Sequence, residues 1–178
     1  MILIDDFYSP TDYINILKVI KTTKWFPEMQ PYTNTNIDNR LKMMPCYQSI
    51  VPIEWKEKTL DLLHEKVPSI KFDMLRTFWR KTLAKELLQS PLKDKTQGLI
   101  HQDDDNFNWA GIIYFNGLTI KGGTSLFLTD KEGLQIEPDV IFAAKPNRLV
   151  LYKSNIRHAA NYDHCYKERV VQTVFLKV

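Results

Sequence analysis

Three residues in the second half of the chain have the types and spacing to hold a metal ion. His101 and Asp103 are separated by one residue in a short apolar-to-polar run that reads as a strand. Side chains alternate along a strand, so positions two apart project to the same side. An imidazole and a carboxylate projecting together are two adjacent ligands. His158 lies between an apolar strand, Arg148 to Tyr152, and the last strand of the chain. In a small barrel a residue at that point returns to the mouth where the first pair sits. Two histidines and one carboxylate on one face leave about three positions of an octahedron open, an arrangement that suits iron(II). Arg169 follows His158 by eleven residues and opens the apolar run Val170 to Val178. An arginine directed into a barrel interior needs an anion, and its planar fork matches a carboxylate. Read singly, each residue also has a plain explanation. His158 suits a turn, and Arg169, beside Lys167 and Glu168, suits a strand edge in solvent.

The elements that must position these residues fall into two textures. Ile2–Ile4 suits a strand, and a helix follows with Ser9 as N-cap, Pro10 at the first helical position and Asp12 in the first turn. Tyr13, Ile16, Leu17 and Ile20 share one face of it. Residues 26–52 read as a long irregular loop whose aromatics, Trp25, Phe26, Tyr32 and Tyr47, could cover a site. A second helix runs from about Ile53 to Lys66, ended by Pro68. Residues 69–88 are ambiguous and lean to a strand at first, and Ser90 to Gln97 reads as loop. From Gly98 short strands recur over residues 99–103, 109–116, 124–128, 134–136, 148–152 and 170–178. Asn116-Gly117, Gly122-Gly123, Lys131-Glu132-Gly133 and Pro146-Asn147 separate them as turns. Closely spaced strands with turns indicate a sandwich or barrel. The expectation is one domain over 1–178, with helical support and loop over about 1–90 and a β-barrel core with the metal site over about 98–178.

Composition excludes several classes. A chain of 178 residues with 44% hydrophobic and 25% charged residues can build its own core. The net charge is only +3, and the basic residues are scattered, which gives no support to nucleic-acid or membrane binding. The cluster Arg80-Lys81 with Lys85 reads as a solvated face. The two cysteines, Cys46 and Cys165, form no C-x-x-C pair and read as reduced thiols of a cytoplasmic protein. The opening MILIDDFYSP lacks the basic start and long apolar stretch of a secretion signal, and no apolar run reaches membrane-spanning length.

The ordered set His101-Gln102-Asp103, Tyr114-Phe115-Asn116, Gly122-Gly123-Thr124 with Phe127, Asn147 to Tyr152, His158 and Arg169 resembles the iron(II)/2-oxoglutarate-dependent dioxygenases. It is closest to their prolyl 4-hydroxylase-like branch. The resemblance covers residues 98–178 and implies a mainly β fold, a double-stranded β-helix (a cupin-like jelly-roll barrel) with supporting helices. It implies Fe(II) on His101, Asp103 and His158, and 2-oxoglutarate paired through its far carboxylate with Arg169. Tyr114 would line the co-substrate pocket and Thr124 would assist. O₂ would be the oxidant, and a C–H bond of a peptidyl (for example prolyl) or free amino-acid substrate would be hydroxylated, with release of succinate and CO₂. Ile112, Leu126, Phe127 and Leu149 would form an apolar wall. The chain departs from the family pattern where a serine or threonine commonly lies two residues after the arginine; Val171 stands there, with Thr173 two further on. Two other classes stay open: a cupin-like metalloprotein that does not use 2-oxoglutarate, and a non-catalytic barrel serving as a binding module. A zinc hydrolase has less support, because no H-E-x-x-H pattern is present.

Overall fold

The computed structural model describes residues 1–27, 46–89, 100–103, 106–117, 122–129, 137–161 and 167–178. In chain order the elements are β1 (Ile2–Ile4), α1 (Pro10–Thr22), β2 (Phe26–Pro27), β3 (Cys46–Ile50), α2 (Ile53–Lys66), β4 (Asp73–Leu83) and α3 (Ala84–Gln89). They continue with β5 (Trp109–Tyr114), β6 (Thr124–Phe127), β7 (Val140–Phe142), β8 (Leu149–Lys153), β9 (Arg157–Ala160) and β10 (Glu168–Lys177). The described strands form two sheets. The larger has the order β1-β8-β5-β10-β4-β3-β2, and the smaller has the order β7-β6-β9. All pairings are antiparallel.

The register divides the larger sheet into two faces. Tyr152 lies opposite Ala110, Val150 opposite Ile112, and Tyr114 opposite Val171. These residues pack with Leu126 of the smaller sheet and with Ala144 into one apolar cluster between the sheets. The alternate residues, Trp79, Ile113, Leu149, Leu151, Val174 and Leu176, face the other way. They form a second cluster with Ile16 and Ile20 of α1 and with Leu62 and Leu63 of α2. Both faces of the central strands are thus covered, which explains why they read as continuous apolar runs. Leu149 therefore belongs under the helices and not to the wall of the site; Ile112 and Leu126 face the inter-sheet side.

Helix α1 starts as expected, with the Ser9 hydroxyl accepting from the Asp12 N–H at 3.1 Å. Its entry is fixed from far along the chain. Asn147, in the left-handed region at φ 62°, clamps the Tyr8 backbone by a hydrogen bond in each direction at 2.8 Å. A polar group between helices and sheet is joined by hydrogen bonds: Tyr8 Oη meets Thr59 Oγ1 at 2.7 Å and Gln172 Oε1 at 3.0 Å. Gln172 Nε2 donates to Thr59 and Thr77, both at 3.1 Å.

Two differences from the sequence reading concern the first half. The stretch 26–52 is not wholly loop, because β2 and β3 extend the larger sheet; residues 28–45, including Tyr32, lie outside the described residues. The ambiguous stretch 69–88 contains a long central strand, β4, paired with β10 over almost its whole length. Strands from before residue 90 and after residue 98 thus share one sheet. Polar residues at alternating positions on β4 hid this. No helix among the described residues is long and apolar enough to cross a membrane.

Candidate metal and co-substrate site

His101 and His158 are brought together by backbone hydrogen bonding. The His101 N–H donates to the His158 carbonyl at 3.0 Å, and the His158 N–H donates back at 2.8 Å, an isolated antiparallel bridge. In such a pair the two side chains project to the same side. The rings are 4.4 Å apart between centroids. His158 is not in a turn: it lies on β9, opposite Leu126 of β6, and its side chain is buried. Asp103 is placed by its own N–H, which donates to the Ser154 carbonyl at 3.2 Å. The strand expected over 99–103 is represented by the single bridge at His101, and Leu99 lies outside the described residues. The same-side argument still holds, since one ligand atom from each of His101, Asp103 and His158 lies within 4.8 Å of the others.

The electrostatics of the trio are those of a cation site. His158 Nδ1 lies 3.0 Å from the Ile156 carbonyl oxygen, a partner that only an N–H satisfies. Nε2 therefore keeps its lone pair and points to Asp103 Oδ2, 3.6 Å away. Burial holds the His158 imidazole neutral, pushing its pKa down to about 4. Burial also pushes the Asp103 carboxyl up to about 6, against the opposing pull of His101 and Arg80. Asp103 Oδ2 is buried with no hydrogen-bond partner. An acceptor left in that state costs free energy, and a divalent cation held between it and the two imidazoles would remove the cost. The donor set of two imidazoles and one carboxylate fits iron(II).

The second group of residues assembles on the same inter-sheet side. Tyr114 Oη and Thr124 Oγ1 are 2.6 Å apart, joining β5 to β6. The Arg169 guanidinium lies 5.5 Å from the Tyr114 ring centroid. Its Nε donates to the Gly122 carbonyl at 2.8 Å and Nη2 to the Gly123 carbonyl at 3.4 Å. Asn116 sets the start of β10, accepting from the Val170 N–H at 2.8 Å and donating to the Glu168 carbonyl at 3.0 Å. That gives the Tyr-Phe-Asn motif a structural function: its asparagine aims the arginine. Gly123 is required by space, because a Cβ there would overlap the Phe142 carbonyl oxygen. Thr173 does not reach Arg169; its hydroxyl donates to the Phe78 carbonyl at 3.3 Å.

The aromatics proposed as a cover do not all face the site. Tyr47 lies opposite Lys81, on the face away from Arg80, and its hydroxyl donates to Glu86 at 2.6 Å. The basic cluster also splits: Lys81 lies near Trp25, whereas Arg80 is half-buried on the inter-sheet side, 5.1 Å from the Phe78 ring centroid. The charge of Arg80 acts on both Asp103 and His158. Arg80 and Tyr152 are site neighbours that the sequence reading missed. The signal was strand alternation: Arg80 lies opposite Val171 and Tyr152 opposite Ala110, both on the site-facing side. Cys46 is buried; Cys165 and His164 lie outside the described residues.

No family profile and no curated protein matches the sequence. Solved structures do match its fold. A 2OG-Fe(II) oxygenase family oxidoreductase from Burkholderia pseudomallei superposes with a TM-score of 0.67 at 11% identity, over 99% of this chain and 84% of that one. A Trichoplax adhaerens prolyl hydroxylase, in complex with a peptide of hypoxia inducible factor, gives 0.63 at 10% identity, over 99% and 82%. HygX from Streptomyces hygroscopicus, with nickel, 2-oxoglutarate and hygromycin B bound, gives 0.62 at 6% identity, over 99% and 82%. The chain thus has the double-stranded β-helix, or jelly-roll, fold of the 2-oxoglutarate- and iron(II)-dependent oxygenases, with helices packed on one face.

Proposed function

We propose that the 178 residues form one oxygenase domain that uses Fe(II), 2-oxoglutarate and O₂ to hydroxylate a C–H bond of a peptidyl or amino-acid substrate. The observation that supports this reading best is the buried, unpartnered Asp103 Oδ2, set against His158 Nε2 and His101. His101, Asp103 and His158 would hold the metal. Arg169 would take the far carboxylate of 2-oxoglutarate, with Tyr114 and Thr124 beside it. When bound, iron and 2-oxoglutarate supply the oxidising chemistry, in which the oxo acid loses CO₂ and becomes succinate.

The chain's own residues supply position and dryness. The Ile156 carbonyl fixes the His158 tautomer and the ring plane. Ile112 and Leu126, from opposite sheets, pack in the inter-sheet cluster, an apolar surround that would limit water at the site. A carboxylate at position 103 supports hydroxylation, since as a metal ligand it would leave no room for a halide. A peptidyl substrate draws support from the bound peptide of the Trichoplax prolyl hydroxylase, and a small metabolite from the hygromycin B of HygX.

Anaerobic titration of Fe(II), with and without 2-oxoglutarate, tests the reading. A weak visible charge-transfer band that needs both components is the expected result. Iron binding without a band favours a cupin-like metalloprotein, and no iron binding favours a non-catalytic barrel. A mass-shift screen for added oxygen in peptides and metabolites then identifies the substrate.

A further inference from the structure

Tyr152 stands between the two halves of the site, and neither half uses it. It lies on β8 opposite Ala110, on the inter-sheet face, and is 1% exposed. Its ring packs against the His158 ring with centroids 4.8 Å apart and a tilt of 52°. A phenol so buried ordinarily finds a partner for its hydroxyl. Tyr8 does so twice, with Thr59 and Gln172, and Tyr114 does so with Thr124. Among the described residues no hydrogen bond to the Tyr152 hydroxyl is formed. Tyr114 lies four residues along β5 from Ala110, the residue opposite Tyr152, and packs in the same inter-sheet cluster, so the phenol shares its face with the anion group as well as touching His158.

The small residue at 110 makes room for this placement. Ala110 separates Tyr152 from Phe175 across the sheet, so the ring lies over a short side chain. It can reach His158 on the opposite sheet. A phenol can donate one hydrogen bond, and none of the described residues accepts one from Tyr152. The ligand that fits is an anion whose near end sits beside His158 and Asp103 and whose far end reaches Arg169.

We infer that the Tyr152 hydroxyl is a binding residue for the 2-oxo acid, donating a hydrogen bond to the carboxylate at its metal-side end. The inference rests on the proposed function and adds to it one contact and one end of the ligand. A hydrogen bond to a charged group is worth more than a neutral one, so removing it weakens binding by about tenfold. The metal-side end is chosen because the ring touches His158. A 2-oxo acid with no far carboxylate then depends on Tyr152 as much as 2-oxoglutarate does.

The test uses the full chain loaded anaerobically with Fe(II), as wild type and as Tyr152→Phe, which keeps the ring against His158 and removes only the hydroxyl. Dissociation constants are measured for Fe(II) alone, and then for 2-oxoglutarate and for pyruvate on the iron-loaded chain. The expected result is an unchanged Fe(II) constant, with both oxo acids weakened by the same factor of about ten. Three outcomes overturn the inference: no change for either acid, weakening of 2-oxoglutarate alone, or a parallel loss of Fe(II) affinity. The last would make Tyr152 a packing support for His158. If the wild-type chain binds neither iron nor oxo acid, the proposed function falls and takes this inference with it. If the wild type binds both and the variant matches it, only this inference falls.

Discussion

Asp103→Asn should make the metal-free protein more stable at alkaline pH while destroying its response to metal. Asp103 is nearly buried, and its carboxyl is raised from an ordinary 3.8 to about 6, chiefly by that burial. The folded chain therefore holds a proton on this group that the unfolded chain has released, over the window between those two values. Proton binding by the folded state means that stability falls as pH rises through the window. Below about pH 4 both states are protonated and the group costs nothing. Above about pH 6 the folded state bears an ionised carboxylate in a dry place, at a cost of about 3 kcal/mol. Asparagine has nearly the same shape and no charge. It brings a penalty of its own, an amide whose partners are incomplete, but that penalty does not change with pH. The pH dependence of the difference between the two proteins thus isolates the charge. Denaturant unfolding of both metal-free chains at pH 4 and pH 8 should show the variant gaining about 3 kcal/mol on wild type between the two, or about 6–12 °C in melting temperature for a chain of this length. Iron(II) should stabilise wild type by about 2.7 kcal/mol at a hundredfold excess over its dissociation constant and leave the variant unmoved. A pH-independent difference, or a variant that still gains stability from iron, would show that Asp103 is a structural group and that the metal lies elsewhere.

Three further outcomes follow from the geometry. Arg169→Ala should weaken 2-oxoglutarate by at least about thirtyfold, the cost of removing one partner of a buried charge pair, with Fe(II) affinity unchanged in the same titration. Equal loss of both, or of neither, would remove Arg169 from the anion site. Iron affinity should fall as pH drops below about 6, where Asp103 takes up its proton, and His158 should add nothing further until about pH 4. A single step near pH 6.5 instead would mean that an imidazole controls binding. Gly123→Ala places a methyl group on the Phe142 carbonyl and should cost about 1–3 kcal/mol in denaturant unfolding, with weaker 2-oxoglutarate binding because the Gly122 and Gly123 carbonyls hold the arginine.

The local elements and the candidate metal-binding residues were legible in the amino-acid order. Ser9-Pro10 and Asp12 specify a helix start by chemistry that acts within one turn. The period of two in a strand puts His101 and Asp103 on one side wherever that strand lies. The types of the four charged or metal-binding groups, two imidazoles, a carboxylate and a guanidinium, restrict the chemistry before any coordinates are known. Tertiary structure decided the rest, because it depends on partners distant in the chain. Only the bridge between residues 101 and 158 sets the two rings side by side. Only the pairing of β4 with β10 turns Arg80 inward and Lys81 outward, where both had read as one solvated cluster. Leu149 and Ile112 are equally apolar, yet one lies under the helices and the other faces the site. Tyr152 is the clearest case. In sequence it is one more aromatic at the end of an apolar strand. In the fold, the packing of two sheets sets its ring against His158, on the face that also carries Tyr114, and no described residue hydrogen-bonds its hydroxyl.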